Sequence, residues 1–266
     1  MKFFVIDSMN KGVNSFFTSL YLFPSIYNMR TFLTPVIATT LLVVASSFYF
    51  PKTQTSLTGA WNAKSGSHEH VLVFQDGYFS YSIYDKANKK FIRTWGGTFT
   101  ESGGQMHANI EFDTESKDNV GGHKHFAGTV SGNTLKFDAG AGVNSWTRID
   151  DGNANLAGNW RITGRMRDGS IQPIEKSARK TLKILSSTRF QWMAINTETK
   201  EFFGTGGGTY TFTNGKYTEN IEFFSRDSSR VGASLSFDGS VANNVWTHKG
   251  LSSRGEPIHE EWSREK

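Results

Sequence analysis

Apolar and polar residues alternate with a period of two through most of the chain beyond residue 56, and no long helical stripe interrupts them. In the C-terminal part the alternation predicts eight strands. They are Leu156–Thr163, Arg179–Leu185, Arg189–Asn196, Gly208–Thr213, Lys216–Ser225, Val231–Phe237, Asn244–Gly250 and Ile258–Arg264. Asn214-Gly215 separates two of them and marks a tight hairpin, because such a loop needs positive φ. Consecutive short strands joined by hairpins predict an antiparallel meander, and closing it into a barrel removes its exposed edges. The alternation assigns Leu156, Gly158, Trp160 and Ile162 to one face, and likewise Phe190, Trp192 and Ala194. It groups Glu219 with Tyr217, Ile221 and Phe223, Leu235 with Phe237, and Trp246 with His248. Ile258, Glu260, Trp262 and Arg264 form the last inward set.

The pattern occurs twice. Leu57-Thr-Gly-Ala-Trp61 matches Leu156-Ala-Gly-Asn-Trp160, and Gly96-Gly-Thr-Phe-Thr100 matches Gly207-Gly-Thr-Tyr-Thr211. Asn109-Ile-Glu-Phe112 matches Asn220-Ile-Glu-Phe223, and Trp146-Thr-Arg148 matches Trp262-Ser-Arg264. The offset is 99 at the start, 111 through the middle and 116 at the end. The second copy therefore gains residues in Arg165–Glu175 and near Ser252–Glu256, both polar and turn-like. Repeats of solenoids run about 20–50 residues, so this period indicates a domain duplication. The expected units are 57–148 and 156–264, joined by the polar Asp150-Asp-Gly-Asn153. The fold class is all-β: two tandem eight-stranded antiparallel up-and-down barrels behind an N-terminal signal or anchor helix.

Composition agrees with strands and tight turns: the 266 residues include 27 Gly and 14% aromatics. The absence of Cys excludes disulfides, thiolate metal sites, a Cys nucleophile and a lipid-modified N-terminal Cys. Net charge is +5, of which residues 1–50 carry +2 and the rest +3. That imbalance is no polybasic footprint, so no nucleic-acid partner is expected.

Residues 32–50 are uncharged and mostly apolar, with Arg30 before them, small residues at Ala45 and Ser47, and polar residues after. These are the parts of a secretory signal. Its nineteen residues would also just span a membrane as a helix. The two outcomes, a cleaved signal or a retained anchor, both stay open, and both place the barrels outside the cytoplasm. Export, with a periplasmic, secreted or membrane-anchored product, is expected. Residues 1–28 are foreign to such a signal, whereas Met29-Arg30 is a normal start to one; 29–50 is then the signal or anchor and 1–28 an over-extended lead.

Gly59-Ala-Trp61 and Gly158-Asn-Trp160 resemble the Gly-x-Trp at the start of lipocalin-type barrels. Arg148 and Arg264 fall on the last strand of their units, where lipocalins and the wider calycins carry an Arg that packs over that Trp. A planar guanidinium stacks favourably on an indole. Unit two is also similar to small lipocalin-like domains of exported bacterial proteins of unknown function. That similarity runs through Phe190-Gln-Trp192, Gly206-Gly-Gly-Thr-Tyr210, Tyr217-Thr-Glu219 and Pro257-Ile-His-Glu260. The resemblance implies structural closure by the Trp–Arg pairs and binding of small hydrophobic ligands or lipids.

Candidate site residues follow from comparing the copies. Glu219, His248 and Glu260 stand where unit one has Ala108, Phe137 and Asn144. With Trp192, Tyr210 and Trp246 they form the expected ligand pocket of unit two, apolar with a few polar groups. The alternative is that the face is misassigned and Glu219 is a solvated charge. His68/His70 and His123/His125 are spaced to chelate a metal from one strand face. No carboxylates support them, so solvated or loop-end histidines, and no metal or other cofactor, are expected. Gly204-Thr-Gly-Gly-Gly208 is followed by a strand rather than a helix, which indicates a bulge or corner rather than a phosphate loop.

The expected function is non-catalytic binding of a small hydrophobic or amphipathic molecule, with the pocket in unit two and possible membrane association through the N-terminal segment. Three rivals stay open: an enzyme using Glu219 and His248 as acid and base, a haem- or metal-binding barrel, and an envelope interaction module with filled barrels. The chain start is directly testable. The precursor from an export-blocked cell is expected to have the intact mass of a chain beginning at Met29; a species beginning at Met1 would overturn that assignment.

Overall fold

The computed structural model describes residues 56–265 except Gly104. The export segment and the start at Met29 lie outside the described residues. Two closed antiparallel barrels follow one another along the chain. The first comprises β1 (Gly59–Ser65), β2 (His68–Gln75), β3 (Tyr78–Asp85), β4 (Lys90–Ser102), β5 (Gln105–Asp113), β6 (His123–Ser131), β7 (Thr134–Phe137) and β8 (Ser145–Asp150). Each strand pairs with the next, and β8 pairs back onto β1.

The second barrel begins with β9 (Gly158–Arg167) and ends with β17 (Pro257–Arg264), which pair to close it. Between them lie β10 (Ser170–Pro173), β11 (Arg179–Leu185), β12 (Arg189–Asn196), β13 (Glu201–Thr213), β14 (Lys216–Phe224), β15 (Ser234–Ala242) and β16 (Val245–Leu251). β10 is an addition that pairs only with β9, and eight strands make the barrel itself. It is formed by the early insertion of the second copy. Ile171 pairs with Met166 there, and Asp168 and Gly169, both at positive φ, make the turn. Asn214 and Gly215 adopt φ of 52° and 74° in the β13–β14 hairpin, as a two-residue loop of this type requires.

Two expectations need correction. The strand expected at Gly208–Thr213 begins at Glu201, so the glycine run lies inside β13. The strand expected at Val231–Phe237 is shifted to Ser234–Ala242, because Ser228–Arg230 forms a short 3-10 turn before it.

The glycine run is a bulge. Between β13 and β14 the register shifts at Gly207/Gly208, so Gly207 faces Phe223 while Gly208 faces Ile221. Glu222 is the extra residue. A Cβ on Gly208 would lie 2.0 Å from the Asn220 carbonyl oxygen, so only glycine fits. Gly97 repeats the arrangement in β4, where a Cβ would lie 1.9 Å from the Asn109 carbonyl oxygen and Glu111 is the extra residue. The bulge corrects one face assignment. Tyr217, Glu219 and Ile221 share the inward face, but Phe223 is thrown outward.

Phe223 joins a third apolar cluster that lies between the barrels. Equivalent positions of the two copies meet there: Val71 and Leu182, Val73 and Ile184, Tyr84 and Ile195, Phe91 and Phe202, Phe112 and Phe223. Phe91 packs on Phe223 at 6.0 Å between ring centroids, and Phe112 on Phe202 at 6.2 Å, which are the same contact with the copies exchanged. The Gln191 side-chain amide donates to both Thr94 Oγ1 at 2.9 Å and Thr205 Oγ1 at 3.0 Å, another equivalent pair. The interface is therefore self-complementary, like that of a two-fold dimer. The bulge glutamates extend it. Glu222 accepts from Tyr84 Oη at 2.7 Å and pairs with Lys86, and Glu111 pairs with Lys180 at 2.9 Å.

Each barrel has its expected Trp–Arg pair. The Arg148 guanidinium lies 3.9 Å from the Trp61 ring centroid, and that of Arg264 lies 4.7 Å from Trp160. Trp61 Nε1 donates to the Leu57 carbonyl at 2.8 Å and Trp160 Nε1 to that of Leu156 at 3.0 Å. Arg264 also binds Asp76 of the first barrel at 2.6 Å.

Phe223 tests the docking. Phe223→Ala is expected to cost about 3–5 kcal/mol in a urea titration, the range for a large-to-small change at a buried aromatic. A loss below about 1 kcal/mol would mean that the barrels are not docked through this face.

Candidate functional site

An eight-stranded barrel interior is just wide enough to be filled by side chains or to hold one small ligand. The first barrel packs its centre with aromatics, and a hollow of about 290 Å³ lies beside its β4–β5 hairpin, lined by Leu57, Glu101, Met106 and Val130. Trp95 packs against Phe79, Tyr81 and Phe126 with ring centroids 5.2–5.9 Å apart, and Phe137 and Trp146 are buried beside them. In the second barrel the residue equivalent to Trp95 is Gly206. Trp192 leans over that glycine, its Nε1 only 2.8 Å from where a Cβ would stand. Phe224 presses on the same glycine, 3.0 Å from that point, and both rings stand in the wall of a cavity of about 280 Å³ in this barrel.

Four of the six expected pocket residues line this cavity: Trp192, Glu219, His248 and Glu260. Tyr210 and Trp246 are buried in the same core but do not line it. Tyr210 Oη donates to the Ser186 carbonyl at 2.6 Å, and Trp246 packs on Trp160 at 5.8 Å, towards the closed end. The cavity extends the other way, towards Ser252 and Ser253 in the β16–β17 turn.

Glu219 is inside the barrel with 4% of its surface exposed, so it is no solvated charge. Its partner is Lys183, Nζ to Oε1 2.6 Å, which the alternation did not single out. Lys183 is 5% exposed, and its ammonium sits 5.2–5.9 Å from the ring centroids of Phe190, Tyr217, Trp246 and Trp262. Tyr217 Oη donates to the same carboxylate oxygen at 2.8 Å. Burial, then the negative charge of Glu219, pushes the Tyr217 phenol well above its ordinary range, so it stays a donor.

His248 and Glu260, cross-strand neighbours on β16 and β17, form a second pair. His248 Nε2 lies 3.1 Å from Glu260 Oε2, and Arg165 Nη2 lies 2.6 Å from Glu260 Oε1. Burial lowers the His248 pKa, and the Lys183 charge lowers it further against the pull of Glu260. Burial alone would raise Glu260; the hydrogen bond from His248 and the charge of Arg165 overcome that and hold it at about 2. With Nε2–H donating to the carboxylate, the neutral imidazole presents Nδ1 as a buried acceptor, and that atom has no protein partner. The Trp262 indole N–H also lacks a partner. Both side chains line the cavity.

The histidine pairs are separate from this site. His70 is buried in the first barrel with Nδ1 2.6 Å from Tyr81 Oη, and His68 is exposed. His123 and His125 lie on the outer surface, where His125 meets His107 at 2.7 Å between Nδ1 atoms. Among the described residues no three His, Asp or Glu side chains converge as metal ligands.

The buried acid–base pair predicts acid lability. A His pKa below its ordinary 6.5 means the unfolded chain binds the extra proton, so stability falls as pH drops below about 6.5. Glu260 adds a second loss as pH falls from about 4.5 towards 2. Denaturant titrations across pH should show both losses. His248→Phe, which installs the first barrel's residue, should reduce the loss between pH 6.5 and 4.5, leaving the part due to buried His70 of the first barrel, whose pKa is also lowered by burial; an unchanged slope there would refute the assignment. No protein-family model and no curated protein matches this sequence.

Proposed function

We propose that the second barrel is a non-catalytic binding site for one small hydrophobic or amphipathic molecule, and that the first barrel is its structural partner. The observation that carries this is a cavity of about 280 Å³ on which Glu219, His248 and Glu260 converge, where the first copy has Ala108, Phe137 and Asn144. The lining is mostly apolar, with convergent polar groups, as small-molecule sites are. The lipocalin-like features, Gly-x-Trp and the terminal Arg at both closures, support the same reading. Unpartnered His248 Nδ1 and Trp262 Nε1 favour a ligand with at least one polar atom, hence an amphipathic molecule over a pure hydrocarbon. The apolar segment at residues 32–50 supports export, as a secreted, periplasmic or membrane-anchored protein.

Ala194 lines the cavity and offers a way to plug it. An environment-sensitive apolar fluorophore is expected to bind the wild-type chain at one site. Ala194→Trp should reduce that affinity by about tenfold or more while circular dichroism shows the barrels intact. Equal binding by the plugged, folded variant would exclude the cavity as the site.

A further inference from the structure

The most unusual group in the cavity is Lys183. A lysine ammonium is costly to bury even when paired, and a buried pair is seldom needed for stability. Here the fold supplies its own comparison. At the equivalent positions the first barrel has Leu72, Ala108 and Met106, all buried in its core, where the second has Lys183, Glu219 and Tyr217. Three exchanges on two strands have thus replaced an apolar cluster by an amine, a carboxylate and a phenol in mutual contact. Packing does not require them, since the same barrel closes without them. The amine lines a cavity rather than a solid core, so a ligand entering there meets it.

We propose that Lys183 captures an aldehyde-bearing amphipathic molecule as an imine, which deepens the binding role above and rests on it. The chemistry uses groups already in contact. Lys183 passes a proton to Glu219 at 2.6 Å, and the freed amine attacks the carbonyl carbon. The new N–C bond forms as the carbonyl oxygen takes up the proton lost by nitrogen, giving a carbinolamine. Glu219 then returns its proton to that hydroxyl, the C–O bond breaks and water leaves. The product is an iminium whose charge pairs with the Glu219 carboxylate, as the ammonium did before. Tyr217, bonded to the same carboxylate oxygen, holds Glu219 in place. The four rings around Nζ attract a cation and exclude water, which favours the iminium over its hydrolysis.

The test is reductive trapping on the full-length chain. Dodecanal is added at increasing concentration, borohydride follows, and intact mass and peptide mapping locate the product. One dodecyl group on Lys183, saturating with aldehyde, is expected. Labelling spread over surface lysines with no preference for Lys183 would overturn the proposal. Glu219→Gln should slow trapping by about tenfold or more, the usual scale of a proton-transfer group, and an unchanged rate would remove Glu219 from the step. Lys183→Leu, the first barrel's residue, should abolish the saturable adduct, and a single saturable adduct that persists in this variant would overturn the assignment to Lys183. Dodecanol separates the two levels. If it displaces the fluorophore while dodecanal leaves Lys183 unmodified, the imine fails and the cavity stands; if neither occupies the barrel, both fail.

Discussion

The interior volume of an eight-stranded barrel is fixed by strand number and tilt, and everything distinctive here follows from how two copies of one barrel use it. Side chains must fill that volume or leave a hole, because the backbone cannot contract around a missing group. The first barrel meets the constraint with aromatics, Trp95 at their centre. The second has Gly206 at that position, with Trp192 and Phe224 pressed against it and a cavity beyond them. Trp192 leans over the glycine but remains on the cavity wall. A hole in a close-packed interior forfeits dispersion contacts, so a cavity on which buried charged side chains converge is physically meaningful.

The same contrast bears on charge. The apolar cluster of the first barrel shows that this fold is complete without ion pairs inside. The second barrel nevertheless buries Lys183–Glu219 and His248–Glu260, with the half-exposed Arg165 pairing to Glu260 from outside. Desolvation opposes each, and hydrogen bonds only partly repay it, as the unpartnered His248 Nδ1 shows. Without disulfides, the domain pair must hold this interior through barrel closure and through the apolar interface behind it.

Much of this architecture was legible in the chain. The period-two alternation and the repeated blocks specify the two barrels, and Asn214-Gly215 marks its turn because few dipeptides tolerate that geometry. Copy-to-copy differences singled out Glu219, His248 and Glu260, and the structure brings all three to one cavity. Lys183 escaped for a definite reason. On its strand the strongest apolar residues, Leu182 and Ile184, point outward to the first barrel, so hydrophobicity marks the docking face and hides the inward lysine. The signal was still present, since Lys183 aligns with Leu72. Phe223 was misassigned because a bulge adds one residue, and alternation alone cannot register a skipped step. The β10 addition has no counterpart to align against.

Alternation along each strand also explains how the two copies diverge inside while remaining docked outside. In β2 and β11 the residues facing inward are interleaved with those facing the other barrel. Leu72 in one and Lys183 in the other sit between Val71 and Val73, and between Leu182 and Ile184. An interior exchange therefore leaves the docking face untouched, and the self-complementary interface constrains only alternate positions. Glu111 and Glu222 connect the two regimes, because each is the extra residue of a bulge whose neighbours face both ways. Each reaches across to the other barrel while the next residue inward, Ile110 or Ile221, belongs to its own core. The bulge thereby fixes where the strand changes from lining an interior to building an interface. That division lets one barrel be apolar and the other polar at its centre, with the same face holding them together.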